Sequence, residues 1–221
     1  MRVEIWSDVV CPWCYIGKRR FETALLRVGT RRDVSSVDVV FRAYQLDPTA
    51  QPGRSQPVVE AYAKKFGGPE RAEEILRHVT SVAAGDGIEF HMDRALRANT
   101  LLAHRLLWFA EHRSPTLQIA LKERLLQAYF SDGADIGDAA VLATYAAEIG
   151  LDRDEVAAFL AGDGGVGEVM EQLALAASNG ITAVPTFVFD EQWAVPGAQD
   201  VDLFERVLDK MLDNEAAALH G

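Results

Sequence analysis

Only two cysteines occur in the 221 residues, and they stand three positions apart as Cys11 and Cys14. Two cysteines used as small buried hydrophobes rarely fall so close, so the spacing itself points to a paired role. Positive charge is also scarce, with 22 Lys and Arg against 33 Asp and Glu, a net charge of −11. An acidic balance repels phosphate backbones and anionic headgroups, so neither nucleic acid nor a membrane surface is expected as a partner. No stretch approaches the ~20 apolar residues that span a bilayer. The opening residues MRVEIWSDVV are broken by Arg2, Glu4 and Asp8 and hold no apolar signal core. The expected location is therefore the cytoplasm, a reducing compartment in which a structural disulfide is not anticipated. A metal is not expected either. C-x-x-C is half of a zinc site, but no second one exists, and His78, His91, His104, His112 and His220 show no ligand spacing.

What is present is an ordinary globular composition, 49% hydrophobic and 25% charged. It suits one large domain or a small domain with an insertion. The basic runs Lys18-Arg19-Arg20 and Arg31-Arg32 read as solvated faces. Val3 to Trp6 reads as a strand, Cys11 to Leu26 as a helix with Ile16, Phe21 and Leu25 at helical spacing, and Val37 to Tyr44 as a second strand. This β-α-β opening builds a parallel pair. The Pro-, Gly- and Ser-rich segment Asp47 to Pro57 reads as a loop leaving the sheet. Helical patterns follow near 57–66, 69–84, 93–112, 115–130, 138–149, 152–161 and 165–178, with Asp138 and Asp152 as N-caps. Thr186 to Phe189 and Gln192 to Val195 form a hairpin around Asp190-Glu191, and a helix near 200–219 closes the chain.

Cys11-Pro12-Trp13-Cys14 falls at a strand-to-helix junction. A cysteine at a helix N-terminus faces unpaired backbone N–H groups and the positive end of the helix dipole, which favour the thiolate. Pro12 suits the first helical position, where its missing N–H costs nothing. Cys14, one turn on, is placed to attack a mixed disulfide on Cys11. By this geometry Cys11 is the more exposed sulfur and the nucleophile. Gly162-Asp163-Gly164-Gly165-Val166-Gly167 spells a dinucleotide fingerprint, but no strand precedes it, so it reads as a helix–helix turn.

The segment EIWSDVVCPWCYIGKRRFE, the segment GITAVPTFVFD and the VPGAQ after it resemble the DsbA-like thiol–disulfide oxidoreductases. They most resemble the cytoplasmic branch named after FrnE, a polyketide-pathway dithiol–disulfide isomerase. NTLLAHRLLWFA and SDGADIGDAAVLATYAAEIGLD are similar to the same branch. The resemblance implies an α/β thioredoxin fold, βαβ…ββα, with a large all-helical insertion. Residues 1–46 and 179–221 would form the discontinuous thioredoxin-like domain, and 47–178 the insertion. It implies redox exchange with a protein thiol or disulfide, or a small one such as glutathione, and no organic cofactor.

It also implies that Pro185, after a cis bond from Val184, faces the cysteines, with Val184 offering its backbone edge to an extended substrate. Glu4 matches the family's buried carboxylate, a proton relay for Cys14, if one residue is inserted in the turn; an exposed strand-start glutamate is the other reading. Trp13 and Pro12 are candidates for substrate contact, with plain surface anchoring as the alternative for Trp13. Asp8 either opposes the thiolate or shapes the turn. Asn99 and His104 either line the pocket or fill structural roles. Other functions on this scaffold are a glutathione-dependent isomerase, a kappa-type transferase, or a non-catalytic binding module. Cys11 and Cys14 both being present argues against the transferase class, whose motif typically has serine first and lacks the second cysteine.

Overall fold

The computed structural model describes residues 1–220; Gly221 lies outside the described residues, as do the side chains of 218–220, His220 among them. The chain opens with β1 (Arg2–Ser7), turns through Cys11 and enters α1 (Pro12–Gly29). β2 (Asp38–Ala43) returns parallel to β1, Arg2 opposite Asp38 and Ser7 opposite Ala43. A largely helical stretch follows. It comprises β3 (Gln56–Pro57), α2 (Val58–Phe66), α3 (Pro69–Gly85), β4 (Leu96–Arg97), α4 (Leu101–Arg113), α5 (Pro115–Gln127), α6 (Ala139–Glu148), α7 (Arg153–Ala161) and α8 (Val166–Ser178). The chain then re-enters the sheet with β5 (Thr186–Phe189) and β6 (Trp193–Pro196), and ends in α9 (Val201–His220). The sheet order is β2-β1-β5-β6, with β5 antiparallel to both β1 and β6. This is the thioredoxin layout with a helical segment between β2 and β5.

Side chains alternate across a strand, so β1 serves two compartments. Val3 and Ile5, with Phe41, Phe187 and Phe189, pack under Phe21, Ala24 and Val28 of α1 and under Phe204, Leu208, Met211 and Leu212 of α9. Trp6 faces the other way, into Ala176 and Ile181 at the end of α8. A separate core fills the helical segment, and Val9, Tyr15 and Ile16 from the cysteine turn and the start of α1 are part of it. α1 is thus shared between two cores, one near each of its ends.

Asp138 caps α6 by accepting from the backbone N–H of Ala140 at 2.8 Å and Val141 at 2.9 Å, and Asp152 caps α7 by accepting from Glu155 at 2.8 Å. The glycine-rich segment at 162–167 is the turn between α7 and α8, its carbonyls bound by the Arg105 guanidinium.

Three expectations need correction. The helix expected over 93–112 begins only at Leu101. Before it, Leu96 and Arg97 pair with Pro57 and Gln56, Arg97 donates to Asp47 at 2.7 Å, and Asn99 donates to the Ala50 carbonyl at 2.7 Å. These contacts with the 47–57 loop outcompete local helical preference. The helix expected over 115–130 ends at Gln127 and gives way to a single π turn, Ala128–Asp132, closed by left-handed Gly133. The run Lys18-Arg19-Arg20 is not a solvated face, whereas Arg31-Arg32 lies at the surface with Arg31 exposed. Lys18 is buried and pairs with Glu22 and Glu123, Arg20 with Asp86, and Arg31 and Arg32 with Asp209 on α9.

Phe204 ties the C-terminal helix to this architecture. Its ring lies 5.5 Å from that of Phe21 and 4.6 Å from that of Phe187, fully buried. Phe204→Ala is expected to cost about 3–5 kcal/mol in urea unfolding, the usual loss for a buried phenylalanine. A loss below about 1 kcal/mol would mean that α9 contributes little to the sheet core.

Candidate active site

The turn from β1 to α1 is built around a buried carboxylate. Asp8 accepts from the backbone N–H groups of Val9 and Leu46, both at 2.8 Å, and meets His104 Nε2 at 3.2 Å. Asp8 and His104 are both buried, so turn, β2 exit and α4 are fastened at one point. Asp8 therefore shapes the turn, and His104 fills a core role. Cys11 is the N-cap of α1, and its carbonyl accepts from Cys14 at 3.0 Å and Tyr15 at 3.3 Å. Its side chain makes no cap hydrogen bond; Sγ faces the Val184 carbonyl at 3.7 Å. Pro12 occupies the first helical position.

The expectation that exposure separates the two sulfurs does not hold: Cys11 is 3% exposed and Cys14 is 2%. Both fit under the helical segment, which the strand-to-helix geometry alone does not include. Burial pushes the Cys14 thiol well above its ordinary range, and the hydrogen bond and negative charge of Cys11 beside it push the same way. Both thiols are free.

A residue that sequence reasoning missed stands beside them. Lys122 on α5 is buried, and its Nζ has no hydrogen-bond partner. Burial pulls its ammonium down from 10.5 to about 8, against the raising effect of Cys14, Asp8 and Cys11. The sequence did hold a signal: Gln118 and Lys122 share the helical stripe of Leu121 and Leu125, where a lysine is out of place.

The structure brings Pro185 to this cluster and not Glu4. The Val184–Pro185 peptide is cis. Pro185 rests on α1 at Gly17, where a Cβ would come within 2.8 Å of its Cγ. Gly17 is thus a packing requirement that no sequence pattern announced. Glu4 projects to the Trp6 side of the sheet, away from α1, and its carboxylate accepts from Arg42 Nη2 at 2.8 Å. Trp13 is 38% exposed and lies against His78 of α3, ring centroids 6.4 Å apart. Asn99 holds the loop before α4 and accepts from the Leu101 N–H at 2.9 Å, a structural role.

A cavity of about 510 Å³ opens at Val10, the residue before Cys11, and is walled further by Leu46, Val58, Tyr62 and Tyr129. Lys64, Lys65 and Arg97 stand at its polar edge, Arg97 already paired with Asp47. Burial, then the charge of Cys11, pushes the Tyr62 hydroxyl up to about 12. Among the described residues no three His, Cys, Asp or Glu side chains converge as a metal site.

The chain matches DSBA-like thioredoxin domains over residues 2–209. Among solved structures, a probable DsbA oxidoreductase from Streptomyces coelicolor superposes with a TM-score of 0.88 at 36% identity, covering 96% of this chain and 90% of that one. The cytosolic disulfide reductase DsbM from Pseudomonas aeruginosa, solved with GSH, shares the fold with a TM-score of 0.67 at 19% identity, covering 96% of this chain and 100% of that one. The uncharacterized protein YwbO of Bacillus subtilis is 27% identical over 217 residues, 94% of this chain and 96% of its own length.

The buried amine has a measurable stability signature. Between about pH 8 and the ordinary 10.5 the unfolded chain holds the Lys122 proton that the folded chain has lost. This group therefore makes stability rise with pH across that window. Lys122→Met is expected to raise stability near neutral pH by about 1–4 kcal/mol, as when other buried charges are replaced by apolar groups. It should also abolish that part of the rise, as read by urea unfolding near neutral pH and at about pH 9.5.

Proposed function

The chain belongs to the family of DSBA-like thioredoxin domains, and from that premise we propose that it is a thiol–disulfide oxidoreductase and isomerase working through Cys11-Pro12-Trp13-Cys14. Cys11 attacks the substrate sulfur and Cys14 resolves the mixed disulfide. The observation that carries this reading is the placement of the pair: Cys11 caps α1 with Sγ turned to Val184, and Cys14 lies buried one turn on, its thiol pushed up by burial. Pro185 forms the opposite wall, and the Val184 backbone edge pairs with an extended substrate. Trp13 and Pro12 contact the substrate from the α1 side. In this reading 1–46 with 179–221 supply the redox domain and 47–178 selects what reaches it.

The cavity at Val10, one residue before Cys11, suits a small or slender thiol partner with an apolar portion and an anionic group, because Lys64 and Lys65 line it. Glutathione, present with the DsbM relative, has such carboxylates. We place the activity in the cytoplasm, as with that relative, and in the direction of reduction or isomerisation, which a reducing compartment favours. No helix among the described residues is long and apolar enough to cross a membrane.

Incubation with oxidised glutathione and with an insulin disulfide tests the assignment. Cys11→Ser should abolish exchange, and Cys14→Ser should accumulate a mixed disulfide on Cys11, identified by peptide mass spectrometry. Wild-type adducts mainly on Cys14 would overturn the roles. Replacing both Lys64 and Lys65 by Glu should raise the KM for oxidised glutathione more than it lowers kcat. The expected change is roughly 3-fold per lysine altered, typical of partly exposed charge pairs.

A further inference from the structure

The resolving step needs a proton acceptor, and Glu4, the carboxylate expected to serve, projects from the sheet face opposite α1. A different group is in place. Glu123 on α5 reaches across to α1, where it accepts from the Tyr15 hydroxyl at 2.8 Å and Arg19 Nη2 at 2.9 Å and pairs with Lys18. Tyr15 follows Cys14 directly, and Lys18 lies one turn beyond it on the same face. The residue before Glu123 is Lys122, so this link holds its helix toward the Tyr15 side of α1. Its side chain runs to a site over the Phe41 ring, Nζ 5.5 Å from the centroid, and ends without a hydrogen bond. A buried polar group left unpaired is costly and demands an explanation.

We propose that Lys122 is the proton acceptor of Cys14 in the resolving step and its proton donor in the reverse direction. This rests on the disulfide-exchange reading above. Starting from a mixed disulfide on Cys11, the Cys14 S–H proton passes to the neutral amine of Lys122, leaving a thiolate beside an ammonium. The thiolate attacks Cys11 Sγ. The Cys11–Cys14 bond forms as the bond from Cys11 to the substrate sulfur breaks, and the substrate leaves with that electron pair and takes a proton from water. The protein dithiol has then lost two electrons to the substrate disulfide, and a low-molecular-weight thiol restores it by the reverse path.

The charge pattern fits an amine that changes state during the cycle. The groups facing Lys122 are Cys14 and Lys18 from α1, Cys11 at its N-cap, and Asp8 from the end of β1. The acidic groups hold the proton on nitrogen; burial and Lys18 expel it. Burial brings the amine down to about 8, so its neutral form is populated near physiological pH. The Cys14 thiol alone is pushed well above its ordinary value and would give up its proton far less readily.

Two measurements decide the matter. In the first, a mixed disulfide is formed rapidly on Cys11, and release of the substrate thiol is followed in a single turnover against pH. Lys122→Met, whose melting curve confirms folding, should slow release near neutral pH on the order of 100-fold, the scale of a positioned acid or base. It should also move the midpoint of the pH profile upward by about one unit or more. An unchanged midpoint and rate would overturn the proposal. The second uses the wild-type protein and does not depend on a variant folding. The Lys122 side chain, observed by NMR, should titrate at a lower pH in the Cys11–Cys14 disulfide form than in the dithiol form, because oxidation removes the two ionisable sulfurs that favour its charge. The same midpoint in both forms would overturn it as well. Failure of wild type to form any mixed disulfide would instead defeat the disulfide-exchange reading, so the two failures are distinguishable.

Discussion

α1 is the element that the rest of the structure depends on, because two hydrophobic cores compete for its surface. Phe21, Ala24 and Val28 are buried against the sheet and α9, whereas Tyr15 and Ile16 are buried in the helical segment. Sliding or rotating the helix to improve one set of contacts would empty the other, and close-packed interiors do not tolerate such voids. The cysteine turn sits at the end of this doubly held helix. Its position is fixed by packing on both sides, and the Asp8 carboxylate, bonded to Val9, Leu46 and His104, holds the backbone just ahead of it. The Cys11 sulfur is therefore presented by a rigid scaffold rather than by a loop.

Burial at this junction sets the electrostatics. Covering the cysteines with the helical segment takes both thiols almost completely out of water, which disfavours charge on Cys14 and on Lys122 alike. The two groups offset one another, since a thiolate and an ammonium in a low-dielectric site attract strongly. An apolar residue at 122 would make a more stable protein and a poorer proton acceptor, the ordinary conflict between stability and a working site.

The acidic surplus of the chain also has an internal use. Its arginines are spent across element boundaries: Arg20 reaches Asp86, Arg31 and Arg32 reach α9, and Arg42 joins Glu4 on β1 to Glu111 on α4. The more exposed of these, at Arg31 and Arg32, contribute little each. Their value lies in orientation, because they fix how α9 and the helical segment sit against the sheet at points where hydrophobic contact is not directional.

The sequence by itself determined the βαβ opening, the closing hairpin and helix, the caps at Asp138 and Asp152, and the pairing of Cys11 with Cys14. These depend on local periodicity, turn chemistry and spacing, all of which are written within a few residues. It also pointed to the Val184–Pro185 peptide, whose Val184 carbonyl the fold sets against Cys11, through the match of GITAVPTFVFD to a family pattern. Only the tertiary structure decided the rest. Leu96 and Arg97 left a helical pattern because their hydrogen-bond partners lie some forty residues earlier, at Pro57 and Gln56. The basic runs became ion-paired because α9 and Glu123 supply acids from far along the chain. Glu4 was turned from the cysteines by the strand's alternation, and Lys122 was brought to them by a helix more than a hundred residues away. Burial and proton affinity are properties of the assembled surroundings, so a residue's chemistry at this site is fixed only when the elements around it have packed.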